Sequence, residues 1–189
     1  IKIFQIMKKV YLASQSPRRK KLLSLIGIDF EVINIDIDES YRDHETPIEY
    51  VKRISIEKAK QGKLQAELNI PILAADTAVV LKNIILGKAE CAEDAKNMLN
   101  KLSGYTHSVF SAVTLIDKTE KTKVSINEVT FKKLSMSEIN SYCETGEPIG
   151  KAGGYAIQGR GMHFIDNFKG SYSAVIGLPL KETIELLEI

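Results

Sequence analysis

Two long runs of alternating apolar and polar residues, His107 to Ile116 and Lys123 to Lys132, are joined only by the polar stretch Asp117-Lys118-Thr119-Glu120-Lys121-Thr122. A period of two puts one face of each run on a core and the other towards solvent. A connection this short can only turn the chain back on itself, so the pair predicts an antiparallel hairpin. The first half of the chain has a different character, with short apolar strands separated by helical patterns, the arrangement that builds parallel neighbours. A chain that carries both predicts an α/β fold with a mixed, partly antiparallel central sheet flanked by helices.

Local signals place the elements. Lys8 to Ala13 reads as a strand, followed by a helix from Pro17 with Ser16 as its N-cap and Gly27 as its C′ glycine. Phe30 to Ile35 reads as a second strand that runs into the acidic, irregular Asp36-Ile37-Asp38-Glu39-Ser40-Tyr41-Arg42-Asp43. Thr46-Pro47-Ile48-Glu49 is a capping box with proline at N1 and opens a long amphipathic helix to about Ala66. Pro71 to Ala75 reads as a buried strand delivering Asp76 and Thr77 at its carboxyl end, and Val79 to Leu86 as a hairpin around Lys82-Asn83. A helix over Ala92 to Leu102 closes at Ser103-Gly104, and a second capping box, Ser135-Met136-Ser137-Glu138, opens a short helix to Cys143. A glycine-rich loop from Gly146 to Gly161, a short strand around His163-Phe164-Ile165 and a terminal helix after Pro179 follow.

Composition narrows the partners. With 189 residues and a net charge of +2, bulk electrostatics predict neither a nucleic-acid nor a membrane partner, so any basic site has to be local. The longest apolar run, Ile70 to Leu81, is broken by Pro71, Asp76 and Thr77 and falls short of the roughly 20 residues that span a bilayer. Residues 1–6 read as an upstream extension before Met7-Lys8-Lys9, without the cleavage site of a signal peptide. Cys91 and Cys143 show neither a CxxC pattern nor a disulfide framework, which suits a reducing compartment, and a cytoplasmic location is expected.

The basic cluster Arg18-Arg19-Lys20-Lys21 falls on the first turn of a helix, the wrong end for positive charge. Each cation there costs about 0.3–1 kcal/mol against the macrodipole. A multiply charged anion held against the free N–H groups and both guanidiniums relieves that cost, so the cluster predicts phosphate binding; a solvated basic turn is the plainer alternative. Asp76 could activate water, directly or through a divalent ion, or simply cap a turn. Asp38, Glu39 and Asp43 offer a second carboxylate, and Mg²⁺ needs only one or two besides substrate phosphates, so Asp76 with Glu39 would suffice.

Lys58 lies on the long helix, where spacing alone does not separate it from Lys52 or Lys60. Lys88 follows Gly87, which would let its ammonium reach back towards a cleft. In the loop Lys151 to Gly159 the glycines allow close backbone approach and Gln158 can pair with a base edge. That loop has neither the P-loop nor the dinucleotide spacing. His44, His107 and His163 show no metal-ligand spacing. Ser14 has no histidine partner in sequence and no nucleophile elbow, so it reads as a phosphate donor.

Taken in order, Leu12-Ala13-Ser14-Gln15-Ser16-Pro17-Arg18-Arg19, Ala75-Asp76-Thr77, Leu86-Gly87-Lys88, Leu102-Ser103-Gly104, Lys151-Ala152-Gly153 through Gln158-Gly159, and Gly170-Ser171-Tyr172-Ser173-Ala174-Val175-Ile176-Gly177-Leu178-Pro179-Leu180 resemble the Maf family of nucleoside triphosphate pyrophosphatases. The likeness covers nearly the whole chain from Met7. It implies a single domain over residues 7–189 with an active-site cleft between two lobes, and metal-dependent cleavage of the α–β phosphoanhydride of a nucleoside triphosphate. It makes Asp76 the proton acceptor, with Lys58 and Lys88 beside it in catalysis. Ser14, Arg18, Arg19, Glu39, Lys58, Lys88 and Gln158 match the polar positions lining the family's cleft; Ser14, Arg18, Arg19, Thr77 and Gln158 are expected to bind the substrate, and Asp76 with Glu39 to hold Mg²⁺ or Mn²⁺. Ser-Pro-Arg-Arg resembles the branch acting on dTTP and UTP, with specificity attributed to Arg18, Thr77 and Gln158. A homodimer is also implied.

Two departures from the family pattern stand out. Ala89 replaces the usual proline after Gly87-Lys88, which predicts a looser loop presenting Lys88, and Gly150 replaces an aspartate before Lys151. Besides a different nucleotide substrate on the same cleft, such as a modified pyrimidine or an inosine-type triphosphate, two other readings stay open: a non-catalytic nucleotide-binding regulator of cell division or septum formation, and a nucleic-acid-binding module using Arg18 to Lys21. The near-neutral charge and the lack of an aromatic–basic face argue against the second.

Overall fold

The computed structural model describes residues 9–67 and 69–188; the expected extension over residues 1–6 and the Met7 start lie outside them. The elements run β1 (Val10–Leu12), α1 (Pro17–Leu25), β2 (Phe30–Val32), α2 (Pro47–Gln65), β3 (Ile72–Leu81), β4 (Ile84–Leu86), α3 (Ala92–Leu102), β5 (Thr106–Ile116), β6 (Glu120–Phe131), α4 (Met136–Glu144), a 3₁₀ turn (Arg160–Phe164), β7 (Ile165–Lys169), α5 (Tyr172–Ile176) and α6 (Leu180–Leu187). They build one mixed seven-stranded sheet in the order β2-β1-β3-β5-β6-β7, with β4 paired to β3. β1 runs parallel to β2 and β3, whereas β3, β5, β6 and β7 are antiparallel neighbours, as the two halves of the sequence predict.

Most elements follow from their punctuation. Both capping boxes form: Thr46 accepts from the Glu49 amide and Ser135 from the Glu138 amide, while each glutamate reaches back to the cap amide. Such caps are worth about 1 kcal/mol each. Lys82 and Asn83 both adopt left-handed φ values, 49° and 67°, as a two-residue hairpin turn requires. Among the described residues no helix is long and apolar enough to cross a membrane.

Three expectations are corrected. The β5–β6 turn is tighter than the polar stretch suggests, because β6 begins at Glu120. The segment around His163 is a 3₁₀ turn, with the strand starting only at Ile165. Most consequentially, β3 does not stop at Ala75 but continues to Leu81, so Asp76 and Thr77 sit in the middle of a strand.

What exposes them is a gap in the sheet. On one side of β3, β1 pairs only as far as Leu12 opposite Leu73, and β4 begins only at Leu86 opposite Val79. Between these two neighbours the edge of β3 from Ala74 to Ala78 has no strand beside it. The other side is fully paired to β5, with Asp76 opposite Ala112 and Thr77 opposite Ser111. Successive strand side chains point to opposite faces, so Asp76 and Thr77 address the two sides of the gap.

Separate apolar clusters stand at either end of the gap. In one, Val10, Leu12, Leu22 and Leu23 of β1 and α1 pack with Leu178, Leu186 and Leu187 near the chain's end. In the other, Leu99 and Ile139 of α3 and α4 pack with Phe131, Tyr155 and Phe164. The cleft lies between these two lobes. Across the sheet, α2 buries Val51, Ile54, Ser55, Lys58, Ala59 and Gly62, a stripe at helical spacing. At Gly62 a Cβ atom would stand 3.0 Å from Ala13 Cβ and 3.1 Å from Ile72 Cγ2, so only glycine lets α2 lie this close to β1 and β3.

Candidate active site

The α2 side of the gap is charged. Lys58 occupies the buried stripe of α2, and its Nζ lies 2.8 Å from Asp76 Oδ1 and 2.7 Å from Glu39 Oε1. Lys88 Nζ is 2.9 Å from Glu39 Oε2, giving the chain of charges Asp76–Lys58–Glu39–Lys88. The Lys58 and Asp76 side chains are only 6% and 8% exposed. Removing one partner of so buried a pair typically costs roughly 3–5 kcal/mol, because the other charge is stranded. Burial pushes the Glu39 carboxyl up, but the ammonium groups of Lys58 and Lys88 outweigh it and bring the pKa down to about 2.

The acidic segment that carries Glu39 is irregular but anchored. The Tyr50 hydroxyl donates to the Glu39 carbonyl at 3.0 Å, and Arg53 Nη2 donates to the Ser40 carbonyl at 2.9 Å. Arg53 is in turn held by Glu45, with Nε 2.6 Å from Oε1. Asp38 only caps its own turn through the Ser40 amide.

The α1 end supplies the other cations. Arg19 Nε donates to the Gly177 carbonyl at 2.8 Å, and its Nη1 donates to Ser14 Oγ at 3.2 Å. Burial lowers the guanidinium pKa, opposed by the negative charges of Asp76 and Glu39. Arg18 is lowered by burial and by the neighbouring Arg19. Ser16 stands at the N-cap position, but its side chain makes no cap bond, contrary to expectation. The first-turn N–H groups of α1 therefore have no side-chain oxygen competing with an incoming anion.

The opposite side of the gap carries hydroxyl and amide groups, with Lys151 and the α1 arginines bordering the same cavity. Thr77 Oγ1 lies 2.8 Å from Ser111 Oγ, and Gln158 projects from the glycine-rich loop. That loop is clasped by Glu147, which accepts from the Tyr142 hydroxyl at 2.8 Å and from the amides of Arg160 and Gly161 at 3.1 and 3.2 Å. Below it, buried His107 bonds Tyr155 Oη through Nε2 at 2.8 Å, and burial lowers the imidazole pKa to about 4.

Lys88 rides on a backbone ladder between the two sides. The Ala89 amide donates to the Lys151 carbonyl at 3.2 Å, and the Gly150 and Gly153 amides donate to the Ala89 and Gly87 carbonyls at 2.8 and 3.0 Å. The expected loosening at Ala89 is not found. Ala89 is fully buried and makes a bond that proline, lacking an N–H, could not. Gly150 holds φ +71° with open space around it, a conformation that suits the glycine found there.

Two adjoining cavities result. One, of about 440 Å³, is bordered by Arg18, Arg19, Lys58, Asp76, Thr77, Lys88 and Gln158. The other, of about 560 Å³ on the α2 side, adds Ser14 and Glu39 and shares Arg19, Lys58 and Lys88 with the first. Ser14, Arg18, Arg19, Glu39, Lys58, Asp76, Thr77, Lys88 and Gln158 thus border one cleft, whereas Lys20, Lys21, Asp38 and Asp43 line neither part of it. Lys52 does not reach it, and Lys60 pairs with Glu120 instead. The anchoring carbonyl of Gly177, the Glu147 clasp and Ser111 were not foreseen; of these only Ser111, in phase with the buried face of β5, left a trace in the sequence. Among the described residues no group of three or more His, Cys, Asp or Glu side chains could hold a metal.

Known proteins resemble this chain over nearly its whole length. It is 47% identical over 184 residues to a dTTP/UTP pyrophosphatase of Aliivibrio fischeri, covering 95% of this chain and 96% of that one. A dTTP/UTP pyrophosphatase of Escherichia coli O157:H7 is 46% identical over 182 residues, covering 96% and 92%. A solved structure of the Staphylococcus aureus Ham1 protein aligns over 94% of this chain and 90% of its own, at 17% identity and a TM-score of 0.49. The family model described as Maf-like protein matches residues 9–189, and with relatives this similar the chain belongs to the Maf family.

Proposed function

We propose that this chain hydrolyses dTTP and UTP to the monophosphate and pyrophosphate, with Asp76 as the general base. The observation that carries this reading is the Asp76–Lys58 pair in the sheet gap, bordered in one cavity by the cations of α1 and Lys88 and by Thr77 and Gln158. The relatives' activity, named above, points the same way.

The triphosphate lies along the N-terminus of α1, where Arg18, Arg19 and Ser14 oppose its charge and the first-turn amides face it. Asp76 Oδ1 is held by Lys58, which fixes the carboxylate's orientation; its other oxygen takes a proton from the water that attacks the α-phosphorus. As the α–β bond breaks, charge grows on the departing pyrophosphate, and Arg19 and Lys88 stabilise it there. Thr77 and Gln158 face the base.

A divalent cation fits the residues present. Asp76 and Glu39 would hold it together with phosphate oxygens, since one oxygen of each carboxylate already converges on a single positive charge, the Lys58 ammonium. Mg²⁺ or Mn²⁺ bound there would neutralise charge developing on the phosphate oxygens.

Pyrophosphate release from a panel of nucleoside triphosphates, with Mg²⁺ or Mn²⁺, tests the reading. Turnover of dTTP and UTP well above the other nucleotides is expected. A folded protein that binds nucleotide without any turnover would replace it with the regulatory alternative.

A further inference from the structure

Ser111 lies directly opposite Thr77 in the β3–β5 ladder and is fully buried, and among the described residues its side chain bonds Thr77 and Ala174. Its Oγ donates to the Ala174 carbonyl at 2.6 Å. A carbonyl can only accept, so the single proton of the Ser111 hydroxyl is committed there. The demand is firm, because Ala174 lies near the end of α5 and the following amides of Gly177 and Leu178 both go to Ser173 instead.

The consequence falls on Thr77. With Oγ1 2.8 Å from Ser111 Oγ, one hydroxyl must donate, and Ser111 has no proton left. Thr77 therefore donates to Ser111, and the hydroxyl it presents to the cleft is an acceptor only. We infer that Ser111 is a specificity-determining positioning residue: it fixes the direction of the Thr77 hydroxyl and so selects a base that offers an N–H at that point. Uracil and thymine offer N3–H on the edge where cytosine carries a bare, accepting nitrogen. Two acceptors facing each other repel, so cytosine is rejected by a group that could otherwise have turned to welcome it. This inference rests on the proposed pyrimidine triphosphatase activity.

The test is the ratio of kcat/KM for UTP over CTP in the wild type, Ser111→Ala, Thr77→Val and the double variant. Freed from Ser111, the Thr77 hydroxyl can rotate and donate to cytosine, so Ser111→Ala lowers the ratio by about ten-fold or more. In the Thr77→Val background the same change leaves the ratio where Thr77→Val alone puts it. Loss of the Ala174 bond by itself would depress both substrates together. An unchanged ratio in Ser111→Ala, or an equal drop in both backgrounds, overturns the inference. Should Ser111→Ala fail to fold, Ser111→Cys keeps the volume with a weaker acceptor, and an unchanged ratio there is equally decisive. A wild type inactive on UTP would instead remove the function itself, so the two failures are distinguishable.

Discussion

Asp76 and Thr77 are neighbours on one strand, yet they open onto unlike surroundings. Towards α2, Asp76 meets a relay of full charges in which every carboxylate already has an ammonium within hydrogen-bond distance. Towards α5, Thr77 meets the Ser111 hydroxyl, which in turn donates to the Ala174 carbonyl, and shares its cavity with Gln158. A reaction that moves a proton and separates charge needs the first kind of wall, whose fixed charges act at full strength in a partly dry cleft. Choosing among bases that differ only in where they carry protons needs the second, where direction matters more than strength. The alternation of a strand lets a single gap present both kinds of side chain, with Arg19, Lys58 and Lys88 bordering the cavities on both sides.

That division can be broken most severely at its charged member. Asp76→Asn removes the proton acceptor and is expected to lower kcat by about 10²–10⁴-fold on dTTP and UTP alike, with the UTP-to-CTP ratio unchanged. A loss confined to one nucleotide would show that the walls are not separate. Arg19→Lys keeps the charge but loses the two-sided hold on Gly177 and Ser14; KM for UTP is expected to rise about 10–100-fold, more than kcat falls. Gln158→Ala should change base preference by about 2–10-fold while leaving the pH profile of kcat untouched.

Acid should sharpen the contrast by a smaller effect. The His107 pKa in the folded protein is about 4, below its ordinary 6.5, so the unfolded chain binds more protons in that window and stability falls as pH drops through it. Glu39 is depressed from 4.5 to about 2, so its contribution is complete above pH 4.5 and is lost as pH falls towards 2. Melting temperatures measured against pH should therefore show an upper segment that disappears in His107→Gln and a lower one that disappears in Glu39→Gln. Both segments persisting in both variants would mean that other groups carry the acid response.

Much of this was legible in the chain. The capping boxes at Thr46 and Ser135 and the glycine closing α3 are local signals with local causes, and each gave its element within a residue or two, while the alternating hairpin was legible except for the first three residues of β6. Asp76 was recognisable as chemistry, but its setting was misread: a polar pair after Ala75 looks like a strand end, whereas the apolar alternation resumes at Ala78 and carries β3 on to Leu81. Lys58 carried a usable mark, since it falls in register with Val51, Ile54, Ser55 and Gly62 on the buried stripe, where a lysine has no business unless it is paired. The bond from Arg19 to Gly177, the Thr77–Ser111 pairing and the Glu147 clasp depend on register and on contacts between distant segments. No local pattern encodes them.

The Arg19–Gly177 bond spans 158 positions of sequence, and it bears on when the protein becomes an enzyme. β1 and α1 emerge early from the ribosome, but their apolar partners Leu178, Leu186 and Leu187 and the carbonyl that aims Arg19 are translated late. A nascent chain can carry Asp76, Lys58 and both arginines before the carbonyl that aims Arg19 exists. The Arg19–Gly177 bond, and the packing that backs it, form only once synthesis has passed these late residues.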